Sequence, residues 1–206
     1  MFGFKHKRRE KLRSTPLSPE MIAVLERNVP YYRLLSDEDK RELQGHIQVF
    51  LAEKTFEGLN GLEMTDEIKV TIAAQACILL LHRETDYYPS LLSILVYPHA
   101  YVAQATQRLP DGTVIEGVDV RLGESWYRGA VVLSWDDVLK GAADIHDGHN
   151  VVFHEFAHQL DNESGANEGA PALANRSNYI AWARVFAHEY ENLLDDIEHH
   201  RKTVLR

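Results

Sequence analysis

The amino-acid sequence predicts an α+β fold, mainly helical with a small sheet, on three observations. Capping residues open stretches with apolar side chains at helical spacing towards both ends of the chain. Short β-branched runs bounded by Pro and Gly gather in the middle. No repeat or low-complexity linker separates the two kinds of segment. With 206 residues, 45% hydrophobic and 26% charged, the chain suits one substantial globular domain. We read residues 1–18 as a basic leader and 19–206 as that domain.

The leader holds Lys5, Lys7, Arg8, Arg9, Lys11 and Arg13 against Glu10, and the expectation is a solvated tail, the alternative being contact with an anionic membrane surface or a partner. No apolar segment follows it, as a secretory signal would require. Ser18-Pro19-Glu20 places a cap and a first-turn proline before a short helix over 20–28, ended by Pro30. Ser36-Asp37-Glu38-Asp39 caps a second helix over 37–53, where Leu43, Ile47 and Phe50 recur on one face. Gly58 and Gly61 break the pattern. Thr65-Asp66-Glu67 then starts a strongly apolar helix to about His82, the candidate central core helix. The single cysteine, Cys77, lies in it and reads as a small core residue.

Ile94, Val96 and Tyr97 form a strand closed by Pro98, and Val114 with 118–120 are extended around the turn Pro110-Asp111-Gly112. A strand over 128–135 precedes Asp136-Asp137 and a short helix. Asp147-Gly148 leads into a helix over about 150–162, stopped near Gly165. A loop rich in Gly, Ala and Asn covers 165–177, and a last long helix starts at about Asn178.

The formal net charge of −9 argues against nucleic acid as the main partner, because phosphate binding needs a basic surface. The most apolar stretch, 72–81, is too short to cross a bilayer and contains Gln75. A cytoplasmic location fits these features.

The chemistry is concentrated in His154-Glu155-Phe156-Ala157-His158. Histidines four apart lie one turn above each other on a helix, so both imidazoles reach one ion from one face. Zinc suits nitrogen ligands, and a catalytic zinc site keeps a coordination position open. Glu155, about 100° round the helix, flanks the ion as a general base that takes a proton from the attacking water. The sequence thus assigns His154 and His158 as metal ligands for one zinc ion and Glu155 as the catalytic residue, acting on a peptide substrate. The plainer alternative is two histidines on an exposed face with Glu155 merely solvated.

The helix phase agrees with the metal assignment. Val152, Phe153, Phe156, Ala157 and Leu160 make an apolar stripe, with His154, His158 and Asp161 nearly opposite. Asp161 is placed to orient an imidazole. The strand over 128–135 is a candidate to pair with an extended substrate, its plainer role being sheet core. His6, His46, His82, His99, His146 and His149 read as ordinary polar residues. Glu189, Glu191, Asp195, Asp196 and Glu198 read as a solvated helix face around His188, His199 and His200.

The ordered set Gly123-Glu124-Ser125-Trp126, Arg128-Gly129, Val132-Leu133-Ser134-Trp135, Asp147-Gly148-x-Asn150-Val151-Val152 and His154-Glu155-Phe156-Ala157-His158-Gln159-Leu160-Asp161 resembles the Mlc titration factor A family of bacterial zinc peptidases. Ala73-Ala74-Gln75-Ala76-Cys77 and Gly165-Ala166-Asn167-Glu168-Gly169-Ala170-Pro171 are similar to the same family, so the likeness covers nearly the whole chain. It implies a zincin-like, gluzincin-type fold, aminopeptidase-type peptide hydrolysis, and the transcriptional repressor Mlc of sugar-uptake genes as a partner. It also implies a third zinc ligand, a glutamate in a Glu-Phe-Phe-Ala-type segment preceded by a tyrosine. No Glu-Phe-Phe follows the histidine run up to Arg206, and the metzincin pattern fails because Asp161 and Ser164 stand where that class needs Gly and His. The expectation is a domain lacking its C-terminal part. The other readings are a non-catalytic protein that sequesters a repressor, or an inactive remnant.

Overall fold

A computed structural model describes residues 2–108, 114–121, 123–126, 129–163 and 169–203, with only the backbone described for Phe2 and for 101–126. The helices are α1 (Phe2–Arg13), α2 (Pro19–Asn28), α3 (Pro30–Leu34), α4 (Asp37–Glu53), α5 (Asp66–Ile78), α6 (Trp135–Ala143), α7 (Val151–Asn162) and α8 (Arg176–Glu198). The strands are β1 (Thr55–Gly58), β2 (Ser93–Tyr97), β3 (Tyr101–Arg108), β4 (Val114–Arg121), β5 (Gly123–Trp126) and β6 (Ala130–Ser134). The α+β expectation holds: helices dominate around a small sheet in which three strands run parallel.

That sheet has the order β1-β2-β6-β5. β1, β2 and β6 are parallel, in the register Phe56–Ile94 and Ile94–Val131, and β5 runs antiparallel to β6 with Glu124 opposite Val132. Parallel strands covered on both faces read as apolar runs, and Ile94, Val96, Val131 and Leu133 are all fully buried. β3 and β4 form a separate antiparallel pair, Val102 opposite Val120. The expected turn at 110–112 between them lies outside the described residues.

Local chemistry sets the helix starts. The side chains of Ser18, Ser36, Thr65 and Ser134 accept from the backbone N–H three residues on, at Met21, Asp39, Ile68 and Asp137. α5 is the core helix the sequence indicated, buried from Ile68 through Cys77 apart from Lys69. It stops at Ile78 rather than near His82. Tyr88 turns back so that its hydroxyl donates to Ala76 O at 2.6 Å, and His82 takes φ +59°, which no helix accommodates. Burial pushes the Cys77 thiol well above its ordinary value, in keeping with a core role.

The leader departs from the expected solvated tail. α1 packs along α4, where Gly45 allows the approach: a Cβ there would stand 3.0 Å from Arg13 O. Arg9 holds Glu53 with both arms of its guanidinium, at 2.8 and 2.6 Å, and also pairs with Asp86. Its guanidinium lies 4.7 Å from the Tyr87 ring centroid. These partners are distant in sequence, so local charge pattern could not announce them.

α8 is the opposite case. None of its residues is buried, and Phe186, Tyr190 and Ile197 are 55%, 62% and 56% exposed. Among the described residues no helix is long and apolar enough to cross a membrane.

The Arg9 pair gives a pH-dependent expectation. Its hydrogen bonds hold the Glu53 carboxyl below the ordinary 4.5. A carboxylate with a depressed folded value contributes in full above its unfolded value and loses that contribution as pH falls through the folded value. Arg9→Ala should therefore cost about 1–3 kcal/mol at pH 7 in urea unfolding. The gap from wild type should narrow as pH falls below about 4.

Candidate metal centre on helix 7

α7 is fixed at its first turn by Asn150. Its Oδ1 accepts from Phe153 N at 2.8 Å, while its Nδ2 donates to Gln75 Oε1 on α5 at 2.7 Å and to Gly141 O on α6 at 3.3 Å. One side chain thus caps the helix and ties it to two others. Gly141 permits this closeness, since a Cβ on it would meet His149 O at 2.7 Å.

The buried face of α7 comprises Val152, Glu155, Phe156, Gln159 and Leu160. That spacing is helical, but its phase differs from the expected stripe. Ala157 is exposed and Phe153 only half-buried. Their place is taken by two polar residues, Glu155 and Gln159, at 5% and 6% exposure. Apolar type was a poor proxy for burial here, because α7 lies against both α5 and the sheet strands β5 and β6. Phe156 anchors this face, its ring 5.8 Å from Phe50 and 4.9 Å from Tyr88.

His154 and His158 share the exposed face, their Nε2 atoms 3.2 Å apart and their rings nearly perpendicular, at 88°. Zinc holds imidazole nitrogens at about 2.0–2.1 Å, so two such ligands at a tetrahedral angle stand about 3.3–3.4 Å apart. The pair fits one ion. Burial, and then the neighbouring His158, hold His154 below its ordinary value, which favours the neutral, ligating form of the ring at neutral pH.

A cleft of about 320 Å³ opens beside His154, lined by Tyr31, His149, Asn150 and Phe153 among others. The Tyr31 and Phe153 rings lie 5.5 Å apart, and the Tyr31 hydroxyl donates to Ile145 O at 3.3 Å. Sequence reasoning gave Tyr31 no role. It is far from the motif in the chain, and nothing local marks it.

Asp161, which the sequence placed to orient an imidazole, also ties the following loop to the end of α7, its Oδ1 accepting from Gly169 N at 2.9 Å and Ala170 N at 3.1 Å. The strand over 128–135 was the candidate for pairing with a substrate. Its core, β6, lies inside the sheet between β2 and β5, so its main-chain groups are taken on both sides. The edge strand next to α7 is β5. Glu189 stands on the exposed α8.

The chain matches the profile described as glucose-regulated metallo-peptidase M90 over residues 4–206, and it belongs to that family. It is 44% identical to the uncharacterized protein slr2042 of Synechocystis sp., over all of this chain and 76% of that protein. It is 27% identical to Mlc titration factor A of Yersinia pestis (strain Pestoides F), over 83% of this chain and 63% of that protein, and the same figures hold for Mlc titration factor A of Yersinia pseudotuberculosis serotype O:1b. The aligned part is thus under two thirds of the length of the Yersinia relatives.

Removing the anchors should show their weight. Asn150→Ala should lower stability by about 1–2 kcal/mol through the lost cap, and more if Gln75 is left unpaired. Phe156→Ala should cost about 3–5 kcal/mol. Denaturant unfolding of both variants checks these values.

Proposed function

We propose that the chain is a zinc peptidase of zincin-like, gluzincin-type build, cutting peptides from the amino end, with His154 and His158 as ligands of one zinc ion and Glu155 as general base. The observation that carries this reading is the 3.2 Å separation of the two Nε2 atoms on the exposed face of α7, with Glu155 buried in the residue between them. Zinc, when bound, supplies Lewis acidity that polarises the scissile carbonyl and makes water a better nucleophile. Glu155 takes the proton from the attacking water and passes it to the leaving amine. Its burial shields that proton from bulk solvent. The β5 edge supplies main-chain donors and acceptors that hold an extended peptide in register. The cleft beside His154, walled by Tyr31 and Phe153, receives a side chain of moderate size.

In this reading the third ligand is the glutamate of a Glu-Phe-Phe-Ala-type segment, and no such segment occurs in 159–206. A cytoplasmic location accords with this reading. Glu155→Gln should abolish release of the chromophore from aminoacyl p-nitroanilides while leaving zinc bound, and His154→Ala should lose that zinc. Hydrolysis that survives in Glu155→Gln would sink the proposal.

A second reading rests on the name of the Yersinia relatives, Mlc titration factor A. In it the chain acts as a regulatory protein that binds and sequesters a sugar-uptake repressor such as Mlc, with the metal secondary. His154→Ala should then still capture purified Mlc; lost capture by a folded variant counts against this reading.

A further inference from the structure

Away from α7, a second set of side chains brings metal-ligating atoms together. Asp39, Glu42 and His46 stand at i, i+3 and i+7 on α4 and so share one face over two turns. Facing them is His82, in the turn that follows α5. Its backbone N–H donates to Glu42 Oε1 at 3.1 Å, which pins that turn against α4. Its ring reaches both carboxylates, with Nε2 3.0 Å from Asp39 Oδ1 and Nδ1 3.6 Å from Glu42 Oε2. One ligand atom from each of Asp39, Glu42 and His82 lies within 4.8 Å of the other two.

Glu42 is itself held in place. His46 Nε2 lies 3.2 Å from Glu42 Oε1, and His46 Nδ1 is in turn held by the Tyr87 hydroxyl at 2.9 Å. A ligating carboxylate steadied by a neighbour that is itself hydrogen-bonded is the support metal sites require. Ligands of one zinc ion at about 2.0–2.1 Å stand no more than about 4 Å apart. The Asp39–His82 spacing already meets this, and Glu42, with Oε2 3.6 Å from the same imidazole, stands within the 4.8 Å cluster as the third donor. Access is open: the His82 side chain is 68% exposed, and a groove of about 710 Å³ reaches Glu42, His46 and His82.

We propose that Asp39, Glu42 and His82 form a second metal site, separate from α7, for a divalent transition-metal ion of the zinc class, with His46 positioning Glu42. The imidazole favours zinc over magnesium or calcium, which prefer all-oxygen sites. The ligands come from α4 and from the turn after α5, so the ion would clamp these segments together and stabilise the fold by mass action. This inference does not depend on the peptidase reading.

The test is equilibrium dialysis and thermal unfolding with zinc, using His154→Ala/His158→Ala protein so that the α7 pair is silent. That protein should bind about one zinc per chain and melt at a higher temperature when zinc is added. Adding His82→Asn should weaken the binding at least about tenfold and remove the shift. Asparagine is chosen because it tolerates the left-handed backbone at His82, φ +59°, better than alanine does. Asp39→Asn provides a second route to the same result without touching that turn. No zinc binding in the α7-silent protein would overturn the site. So would binding that both substitutions leave unchanged, the cluster then being an ion pair of protonated His82 with two carboxylates. The α7 assignment fails separately, if wild type binds no more zinc than the α7-silent protein.

Discussion

The rings of Phe50, Tyr88 and Phe156 meet in one buried group, and the placement of α7 depends on it. Phe156 touches Phe50 from α4 and Tyr88 from the segment after α5. Tyr88 is held by its own hydroxyl, which donates to Ala76 O on α5, and by Lys54, whose Nζ donates to Tyr88 O and Leu91 O. Burial pushes the Lys54 amine down to about 8, against the pull of the neighbouring Glu53 carboxylate. Once Phe156 is seated and Asn150 has fixed the first turn, rotation of α7 is no longer free. His154 and His158 then face outwards together as a geometric consequence.

Much of this was legible in the sequence, for reasons that differ by element. The bounds of α4 follow from Ser36 and its acidic first turn, because a cap is a local interaction. The histidine pair followed from helical period alone. β1 is only four residues long, too short to alternate visibly, and β3 carried no strand signal that was read. The end of α5 was missed because Leu79, Leu80 and Leu81 are apolar whether they continue a helix or turn into the core. α1 was taken for a tail because Arg9 finds its acidic partners 44 and 77 residues away. The phase of α7 was off by its polar members: the burial of Glu155 and Gln159 depends on what packs over them.

Charge is distributed with some economy in this fold. The first thirteen residues carry +5 and the rest −14, within the overall −9. With α1 docked through Arg9 on Glu53 and Asp86, the basic leader offsets acidic surface on α4 and the segment near Asp86. His82 likewise brings the turn after α5 against Asp39 and Glu42 on α4. Both clusters join sequence-distant segments to α4, which makes that helix the electrostatic spine on which α1 and the turn after α5 are mounted.

α8 behaves as a different kind of object. With no buried residue along 23 positions, it draws little from tertiary packing. Its order rests on the Asn175 cap, on same-helix contacts such as Trp182 with Phe186 at 4.5 Å, and on its last-turn ion pairs. Its amide protons would then exchange with solvent through helix–coil opening at low free energy, while those of α5 wait for global unfolding. On this reasoning α8 would melt on its own terms, apart from the cooperative body built round α5.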